Sequence, residues 1–300
     1  MVLEKKIKKE LRNKKSQNKI GVVADDVCSL PEEFLKKNRI EIVKMRLFFE
    51  ELKKQPEKDI YQIMKETKAY PKTSAPSPGQ FLKSYNKALK INEKIVVITI
   101  SSKLSGAFNT ANQAKKLISI PSKINIVDSF SAVAAEGLLV IKAINLIKEK
   151  KDLKKIKNEL ETVKKRIKMF AFLETTYWVE KIGRISKKRA FGFKFLKLFG
   201  VMPIIGIKRE EVGLVGFNFW TTKNYKAVFH QLKKETKRAK KQSKRLIVGI
   251  NYTDNKDTAF WLKEKIERKL QARVIFVSMV PLIVGANSGP GTLIAASYIE

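Results

Sequence analysis

Hydroxyl-bearing side chains are concentrated in a segment at residues 72–79. Thr73, Ser74 and Ser77 lie there beside two prolines and a glycine, directly before a helix predicted over residues 80–89. Ser77 is placed to cap that helix, because a serine hydroxyl can accept a hydrogen bond from the free N–H groups of a first turn. The same composition is typical of a plain capped loop, so the segment indicates either a binding loop or an ordinary turn.

A second hydroxyl-rich segment, residues 101–106, joins a strand predicted over residues 94–100 to the next helix. It contains Ser102 and Ser105 and ends at Gly106. In an open α/β sheet such a turn lies at the carboxyl edge, where ligands bind. The free N–H groups and the dipole of a helix start favour an anion there. Ser105 with those N–H groups could therefore hold a carboxylate without a formal positive charge, and an ordinary serine N-cap is the alternative.

Three aspartates follow predicted strands. Asp25 and Asp26 come after the first strand, and Asp128 comes after a strand over residues 124–127. They could converge at one edge of a sheet, but nothing in the sequence indicates an acid–base pair, and aspartate at a strand end is typical of a turn. Neither G-x-x-x-x-G-K-[ST] nor G-x-G-x-x-G after a strand occurs. The sequence therefore assigns no catalytic residue and no cofactor.

The chain has one cysteine and one histidine, which excludes several kinds of site. Cys28 alone cannot form an internal disulfide or a thiolate metal cluster. His230 alone rules out a histidine-dependent triad and a zinc site with two histidine ligands. We therefore predict no metal site, a buried Cys28 and a structural or surface His230.

The chain is strongly basic, with 63 Lys and Arg against 29 Asp and Glu and a formal net charge of +34. Such a charge is typical of nucleic-acid binding or of attraction to anionic membranes. Only 11 of the 63 cations are arginine, however, and arginine suits phosphate sites better than lysine does. We favour a lysine-rich solvated surface and keep nucleic-acid binding as the alternative, although no known nucleic-acid module is recognisable.

Strand and helix patterns alternate from residue 20 to about residue 150, which predicts a parallel sheet with helices on both faces. After a lysine-rich helix at residues 151–168, two adjacent strands form a predicted hairpin, with a helix, a strand, a helix and a strand behind it. We predict three parts: a basic extension at residues 1–18, an N-terminal α/β domain at residues 19–168 and a C-terminal α+β domain at residues 169–300.

No apolar run reaches the roughly 18 to 20 residues that a membrane span needs. The first residues also lack the apolar region of a secretory signal. We therefore expect a cytoplasmic protein.

In chain order, the segments above resemble the landmarks of the DegV family. The landmarks are residues 22–25, 29–31, 73–79, 101–106, 127–129, 183–185 and 289–291. Each motif alone is weak, but their order and spacing from about residue 20 onwards are specific. Members of that family are two-domain α/β proteins that bind one fatty acid between the domains. Some carry the fatty acid for a bacterial fatty acid kinase, in which a separate ATP-binding subunit phosphorylates the carboxylate.

The resemblance implies a non-catalytic lipid carrier that binds a long-chain fatty acid in a buried pocket and presents its carboxylate. An ATP-binding kinase subunit and, transiently, an anionic membrane surface are the partners it implies. A pocket that has diverged to another amphipathic acid is the alternative within the family.

By position, Thr73 and Ser105 match the hydroxyls that hold the carboxylate in the family. Asn287 stands where the family usually has histidine, two residues before Gly-Pro-Gly, and its amide can still donate a hydrogen bond. Possible residues of the head-group site or its mouth are Ser74, Ser102, Gly106 and Arg184. The other departures from the family pattern, which bear on phosphoryl transfer more than on lipid binding, are Ile182 for glycine, Asp26 for serine and the missing arginine near Thr222.

An aromatic run at residues 190–199 is the first place to look for the lining of the pocket, with the apolar helix at residues 132–148 as another. Lys187, Lys188 and Lys194 lie in or beside that run, and basic residues next to exposed aromatics are what a membrane-surface contact needs. We nevertheless expect most of its phenylalanines to face the core.

Overall fold

The computed structural model describes residues 19–183, 185–199, 201–208, 211–219 and 224–300. The basic extension at residues 1–18, Arg184 and Thr222 lie outside these ranges. In the ranges just given, no helix combines the length and the apolar character that crossing a bilayer requires.

The first sheet has four parallel strands in the order β2-β1-β5-β6. They are β1 (Ile20–Asp25), β2 (Glu41–Val43), β5 (Lys94–Thr99) and β6 (Ile124–Asp128). Strands β1 and β5 are buried along nearly their whole length, as expected of parallel strands that are covered on both faces. The helices connected to this sheet are α1 (Glu32–Lys37), α4 (Pro78–Leu89), α5 (Ala107–Lys116), α6 (Val133–Lys148) and α7 (Leu153–Lys164).

A small antiparallel pair lies apart from the first sheet, between β3 (Arg46–Phe48) and β4 (Lys72–Ser74). Two short helices separate these strands in the chain, α2 (Glu50–Lys54) and α3 (Ile60–Thr67). The sequence predicts one strand over residues 41–49 and a loop around Thr73, and both predictions are wrong. The chain leaves the parallel sheet after Val43, and β3 then pairs with the Thr73 segment.

The second sheet has six strands in the order β11-β10-β12-β7-β8-β9, and only the β10–β11 pair is parallel. The strands are β7 (Lys168–Phe172), β8 (Val201–Lys208), β9 (Glu211–Phe219), β10 (Leu246–Tyr252), β11 (Arg273–Met279) and β12 (Leu293–Ile299). The accompanying helices are α8 (Tyr177–Lys181), α9 (Lys187–Leu198), α10 (Asn224–Lys241), α11 (Lys256–Lys265) and α12 (Leu282–Ser288). A parallel α/β region followed by an α+β region is confirmed as the fold class.

Helix α6 packs between the two sheets. It is largely apolar and is buried over most of its length between Val133 and Leu146, as a helix packed between two layers requires. Its side chains share one core with strands β1 and β5 of the first sheet and with Ile247 and Ala296 of the second. The two sheets are thereby held against each other, and a cavity lies where their inner edges meet.

Candidate functional site

A cavity of about 230 Å³ lies between the carboxyl edge of the first sheet and the inner face of the second. For scale, an engineered apolar cavity of about 150 Å³ holds one benzene molecule. Most of its wall is aliphatic, and the second sheet contributes Met169, Ala171, Ile205 and Ile294. A site of this kind favours an apolar ligand that has few polar atoms.

One end of the cavity carries hydroxyl and amide groups, and we call Thr73, Ser105 and Asn287 its polar end. The Thr73 Oγ1 donates to Asn287 Oδ1 at 3.4 Å, a long hydrogen bond that a ligand oxygen could replace. The Ser105 Oγ accepts from the Ala107 N–H at 3.3 Å. The N-cap of α5 is Gly106, so Ser105 is not the serine N-cap that the sequence offered as an alternative. A hydroxyl that accepts one bond can still donate its own hydrogen, so Ser105 can donate to a ligand while it accepts from Ala107.

The small β3–β4 pair brings Thr73 to this end. Thr73 is in register with Leu47, and its side chain is half-buried, whereas those of Lys72 and Ser74 are exposed. Strand alternation explains the difference, since successive side chains point to opposite faces. The turn that follows Thr73 packs against the Ser105 segment. A Cβ added at Gly106 would lie only 3.7 Å from the Ala75 Cβ.

Two buried aspartates hold the backbone of the Ser105 segment. Asp25 Oδ2 accepts from the Ile100 N–H at 2.8 Å, and the Asp128 carboxylate accepts from the Ser102 N–H at 3.2 Å. Asp128 also accepts from the Phe130 N–H at 2.9 Å. Both aspartates therefore lie at the carboxyl edge of the first sheet and support the loop.

The end of helix α12, which carries Asn287, is held from the other side. Gly289 caps the C-terminus of α12 with a φ of 83°, which suits glycine, and its missing side chain lets the Trp178 ring lie against the backbone. Asp254 Oδ1 accepts from the Gly291 N–H at 2.6 Å, and the Asp254 carboxylate also pairs with Lys65. These contacts give the Gly-Pro-Gly segment one fixed path, which positions Asn287 opposite Thr73.

A buried acid that the sequence did not point to lies behind the cavity. Glu136, in the first turn of α6, is completely buried and faces the Asp25 carboxyl. Burial raises the pKa of Asp25 to about 7, and burial together with the nearby Asp25 raises the pKa of Glu136 well above its usual range. Burial also raises the pKa of Asp26 to about 6. The sequence shows Glu136 only as one acid in an apolar helix, so no local signal marked it.

The remaining residues predicted for the site are distributed as follows. Ser74 and Gly106 line the cavity, whereas Ser102 does not and contributes only its backbone N–H to Asp128. Arg184 lies outside the described residues. Cys28 is buried, and His230 is exposed on α10. Among the described residues, no group of three His, Cys, Asp or Glu side chains could hold a metal ion.

The prediction that residues 190–199 line the cavity is wrong for the side chains that the structure describes. Ala190 and Phe193 instead pack in a small core behind the cavity wall, together with Val179 and Ile205. Of the helix at residues 132–148, only the start, at Ala132 and Val133, reaches the cavity.

The expectation that most phenylalanines of this run face the core is also wrong. The exposed apolar face of α9 consists of Phe191, Phe195, Leu198 and the following Phe199, with Phe191 71% and Leu198 82% exposed. Only Phe193 is buried among the four phenylalanines. The helix has two apolar sides, and the core behind the cavity wall covers only one of them.

Comparison with known proteins agrees with the fold and with the order of the motifs. A sequence model of the family described as "Uncharacterised protein, DegV family" matches residues 19–300. A DegV domain-containing protein of Clostridium acetobutylicum is 29% identical over 277 residues, which cover 90% of this chain and 95% of that protein. A protein of Thermotoga maritima named fatty acid-binding protein is 24% identical over 290 residues, covering 92% and 96% of the two chains.

A solved structure with a similar fold is that of a stearic acid-binding protein from Eubacterium ventriosum. It superposes with a TM-score of 0.79 at 22% identity, covering 93% of this chain and 98% of that one. The match of the family over nearly the whole chain, together with the shared two-sheet fold, identifies this chain as a member of the DegV family.

Proposed function

We propose that this protein binds one long-chain fatty acid in the cavity between its two sheets, as a carrier without catalytic activity of its own. The observation that carries the proposal is a largely aliphatic cavity with a polar end at Thr73, Ser105 and Asn287. Relatives named for fatty acid or stearic acid binding support the same ligand class.

The aliphatic wall supplies most of the affinity. A sixteen-carbon acid has about 14 methylenes, which at about 0.8 kcal/mol each give a gross gain of about 11 kcal/mol. Lost freedom and incomplete enclosure reduce that gain. A hydrogen bond to a charged group contributes about 1.5 to 3 kcal/mol, so the polar end orients the acid more than it retains it.

The cavity volume also limits how the acid enters. If about 150 Å³ holds the six carbons of benzene, 230 Å³ holds about nine carbons. A sixteen-carbon chain therefore needs the wall to move as it enters. The wall from Val179 to Ile182 is suited to moving, because the short helix α8 supplies it and Ile182 is only half-buried.

The test of the ligand class is native mass spectrometry of the purified protein before and after denaturation. We expect one fatty acid per chain, released on unfolding. A protein that is empty and also fails to take up added palmitate or oleate would refute the proposal.

The test of the polar end compares an acid with its methyl ester. Thr73→Ala and Ser105→Ala should each weaken binding of the acid by about 1.5 to 3 kcal/mol and leave the ester nearly unchanged. Ser102→Ala is the matched control, because this neighbouring serine does not line the cavity and should bind both ligands like the wild type. Equal losses for acid and ester would mean that the two hydroxyls only hold the loops together.

A membrane surface is the proposed source and acceptor of the fatty acid. The exposed apolar face of α9 lies beside Lys187, Lys188 and Lys194, which are all exposed. An anionic leaflet attracts each nearby lysine by about 1 kcal/mol, and salt screens the attraction within a Debye length of about 10 Å. Helix α9 covers the core next to Val179, so a contact there acts close to the wall that has to move.

Charge reversal tests the membrane contact. Changing Lys187, Lys188 and Lys194 to glutamate should slow exchange of the acid with anionic vesicles and have little effect with neutral ones, and salt should mimic the variant. The control reverses Lys233, Lys234 and Lys237, three exposed lysines on α10. Wild-type exchange that is insensitive to vesicle charge and to salt would make the lysines a solubilising surface only.

We further propose that the carboxylate is presented in the cytoplasm to a partner kinase subunit, without acid–base catalysis from this chain. Thr73, Ser105 and Asn287 are only half-buried, which leaves the polar end reachable from outside. The nearby carboxyl groups of Asp25 and Asp128 are occupied with backbone N–H groups. Acyl-phosphate formation with ATP and the kinase subunit of the same organism tests this step.

A further inference from the structure

Behind the polar end, two carboxyl groups face each other, and we call Asp25 and Glu136 the carboxyl pair. Both side chains are fully buried. Asp25 Oδ1 accepts from the Val27 N–H at 3.1 Å and Oδ2 accepts from the Ile100 N–H at 2.8 Å. No nitrogen or hydroxyl of the described residues donates to either oxygen of Glu136. The polar group next to Glu136 is the Asp25 carboxyl, to which Glu136 donates once it is protonated.

The charged groups around the pair do not neutralise it. Asp26 and Asp128 are the acidic groups nearby, and each disfavours a further negative charge on the pair. The buried Cys28 thiol stays neutral, because burial and these acids raise its pKa well above its usual range. Two lysines near these acids serve other groups. Lys44 acts on Asp26, and the Lys164 Nζ donates to the Asp128 carbonyl at 2.8 Å and also pairs with Glu161. Within the described ranges, no Lys or Arg forms an ion pair with either member.

A buried acid without a cation keeps its proton, because an unpaired charge in an apolar setting is costly. Glu136 therefore stays protonated, and Asp25 is the member that changes charge near neutral pH, since burial raises its pKa to about 7. Below that pH the pair is neutral, and above it the pair carries one negative charge. The charge then lies directly behind the cavity wall.

The pair is connected to the cavity on three sides. Val27 and Ile100, whose N–H groups Asp25 holds, both line the cavity. Ala132 and Val133, just before Glu136 in the chain, line it too. A ligand carboxylate in the cavity would therefore be separated from the pair only by this wall, and like charges repel across it.

We propose that Asp25 and Glu136 are positioning residues whose shared proton links fatty acid binding to proton uptake, so that the anionic head group binds more tightly when the pair is neutral. The inference rests on the proposed function and adds its dependence on pH. If ligand binding promotes proton uptake by the protein, proton uptake must promote ligand binding to the same extent. Between pH 6 and pH 8 the acid itself stays ionised, so the change in affinity comes from the protein.

The experiment is calorimetric titration of the delipidated protein with sodium decanoate at pH 6, 7 and 8, in pairs of buffers that differ in ionisation enthalpy. Decanoate has about the number of carbons that the cavity holds. We expect binding to weaken about tenfold from pH 6 to pH 8, with part of a proton taken up per decanoate bound. Decanol, which has the same chain without the charge, should bind with the same affinity at every pH.

Glu136→Gln should abolish the pH dependence of decanoate binding and the proton uptake. The glutamine amide can donate to Asp25 and keep it ionised throughout the range. Asp25→Asn is the second variant, in which Glu136 remains protonated, and it should also give a flat profile whatever its absolute affinity. Glu235→Gln is the matched control: Glu235 is a buried glutamate that pairs with Lys168 and Arg238, and its loss should leave the pH slope unchanged.

A flat wild-type profile with no proton uptake overturns the inference and leaves the proposed function standing. A slope that persists in both Glu136→Gln and Asp25→Asn overturns it as well. If neither decanoate nor decanol binds at any pH, and longer acids also fail to bind, the proposed function fails and this inference fails with it.

Discussion

At the polar end of the cavity, neighbours hold the groups that would meet a ligand, whereas the outer side of α9 leaves large apolar side chains open to solvent. Thr73 contacts Asn287, and buried aspartates hold the Ser105 segment. The side chains of Phe191 and Leu198, in contrast, are largely exposed to solvent. Exposed apolar patches on soluble domains usually mark a contact surface. Under the proposed function, the polar end would hold the head of the ligand, and the outer face of α9 would be a separate surface for exchange.

The largest expected effect comes from filling the apolar part of the cavity. Ala171→Phe places a ring where Ala171 now lines the wall beside Ile205 of the neighbouring strand. Losing room for about four methylenes costs about 3 kcal/mol, or about 100-fold in affinity for palmitate. Fluorescent fatty acid displacement measures the loss, and circular dichroism checks that the variant is folded. The milder Ala171→Val should shift the preference towards shorter acids, and unchanged palmitate binding by the folded Phe variant would place the acid elsewhere.

A smaller effect is expected on stability from the carboxyl pair. The pKa of Asp25 is about 7 in the folded chain and about 4 when unfolded, so the unfolded chain releases its proton first as pH rises. The contribution of the pair to the free energy of unfolding is therefore full below about pH 4 and falls as pH rises to about 7. Glu136→Gln should be more stable than the wild type at pH 8 by about 1 to 2 kcal/mol, with no gain at pH 4.

Urea unfolding at the two pH values measures this difference. Glu235→Gln is again the control, since losing a glutamate that has two cationic partners should not stabilise the protein at pH 8. A Glu136→Gln variant that is equally destabilised at both pH values would mean that Glu136 is held there by packing and not by a shared proton.

The outer face of α9 should affect transfer and not stability. Replacing Phe191 and Phe195 with serine should slow exchange of the acid with vesicles several-fold, because less apolar area enters the interface. The melting temperature should hardly change, since both rings are already exposed. Phe193→Ala is the contrasting control: it removes a buried ring and should cost about 3 kcal/mol of stability. Exchange at the wild-type rate by the serine variant would leave this face without a role in transfer.

The smallest change in affinity is expected at Asn287. Asn287→His should alter decanoate binding by less than about threefold, because either side chain can donate one hydrogen bond. It should raise acyl-phosphate formation with a kinase subunit more than it raises affinity, since a bond formed mainly in the transition state acts on rate. Rapid acyl-phosphate formation by the wild type would show that the amide already suffices.

The sequence by itself determined the features that depend on neighbours in the chain. Alternating strand and helix patterns predicted the two-part α/β and α+β fold, and Ser77 forms the expected cap with Gln80. The hydroxyl segment before α5 also predicted where Ser105 would lie. These features are local because hydrophobic periodicity and capping act over a few residues.

Tertiary structure decided which of these segments meet and which surfaces stay uncovered. Thr73 and Asn287 contact each other although they are 214 positions apart, and Glu136 meets Asp25 only because α6 packs over β1. A strand pattern at residues 46–48 could not show that it would pair with the Thr73 segment. The apolar pattern of α9 likewise could not show that a core would cover only one of its sides. A sequence records how apolar each side chain is. Whether that side chain is buried also depends on the residues that pack against it, and long-range folding decides which residues those are.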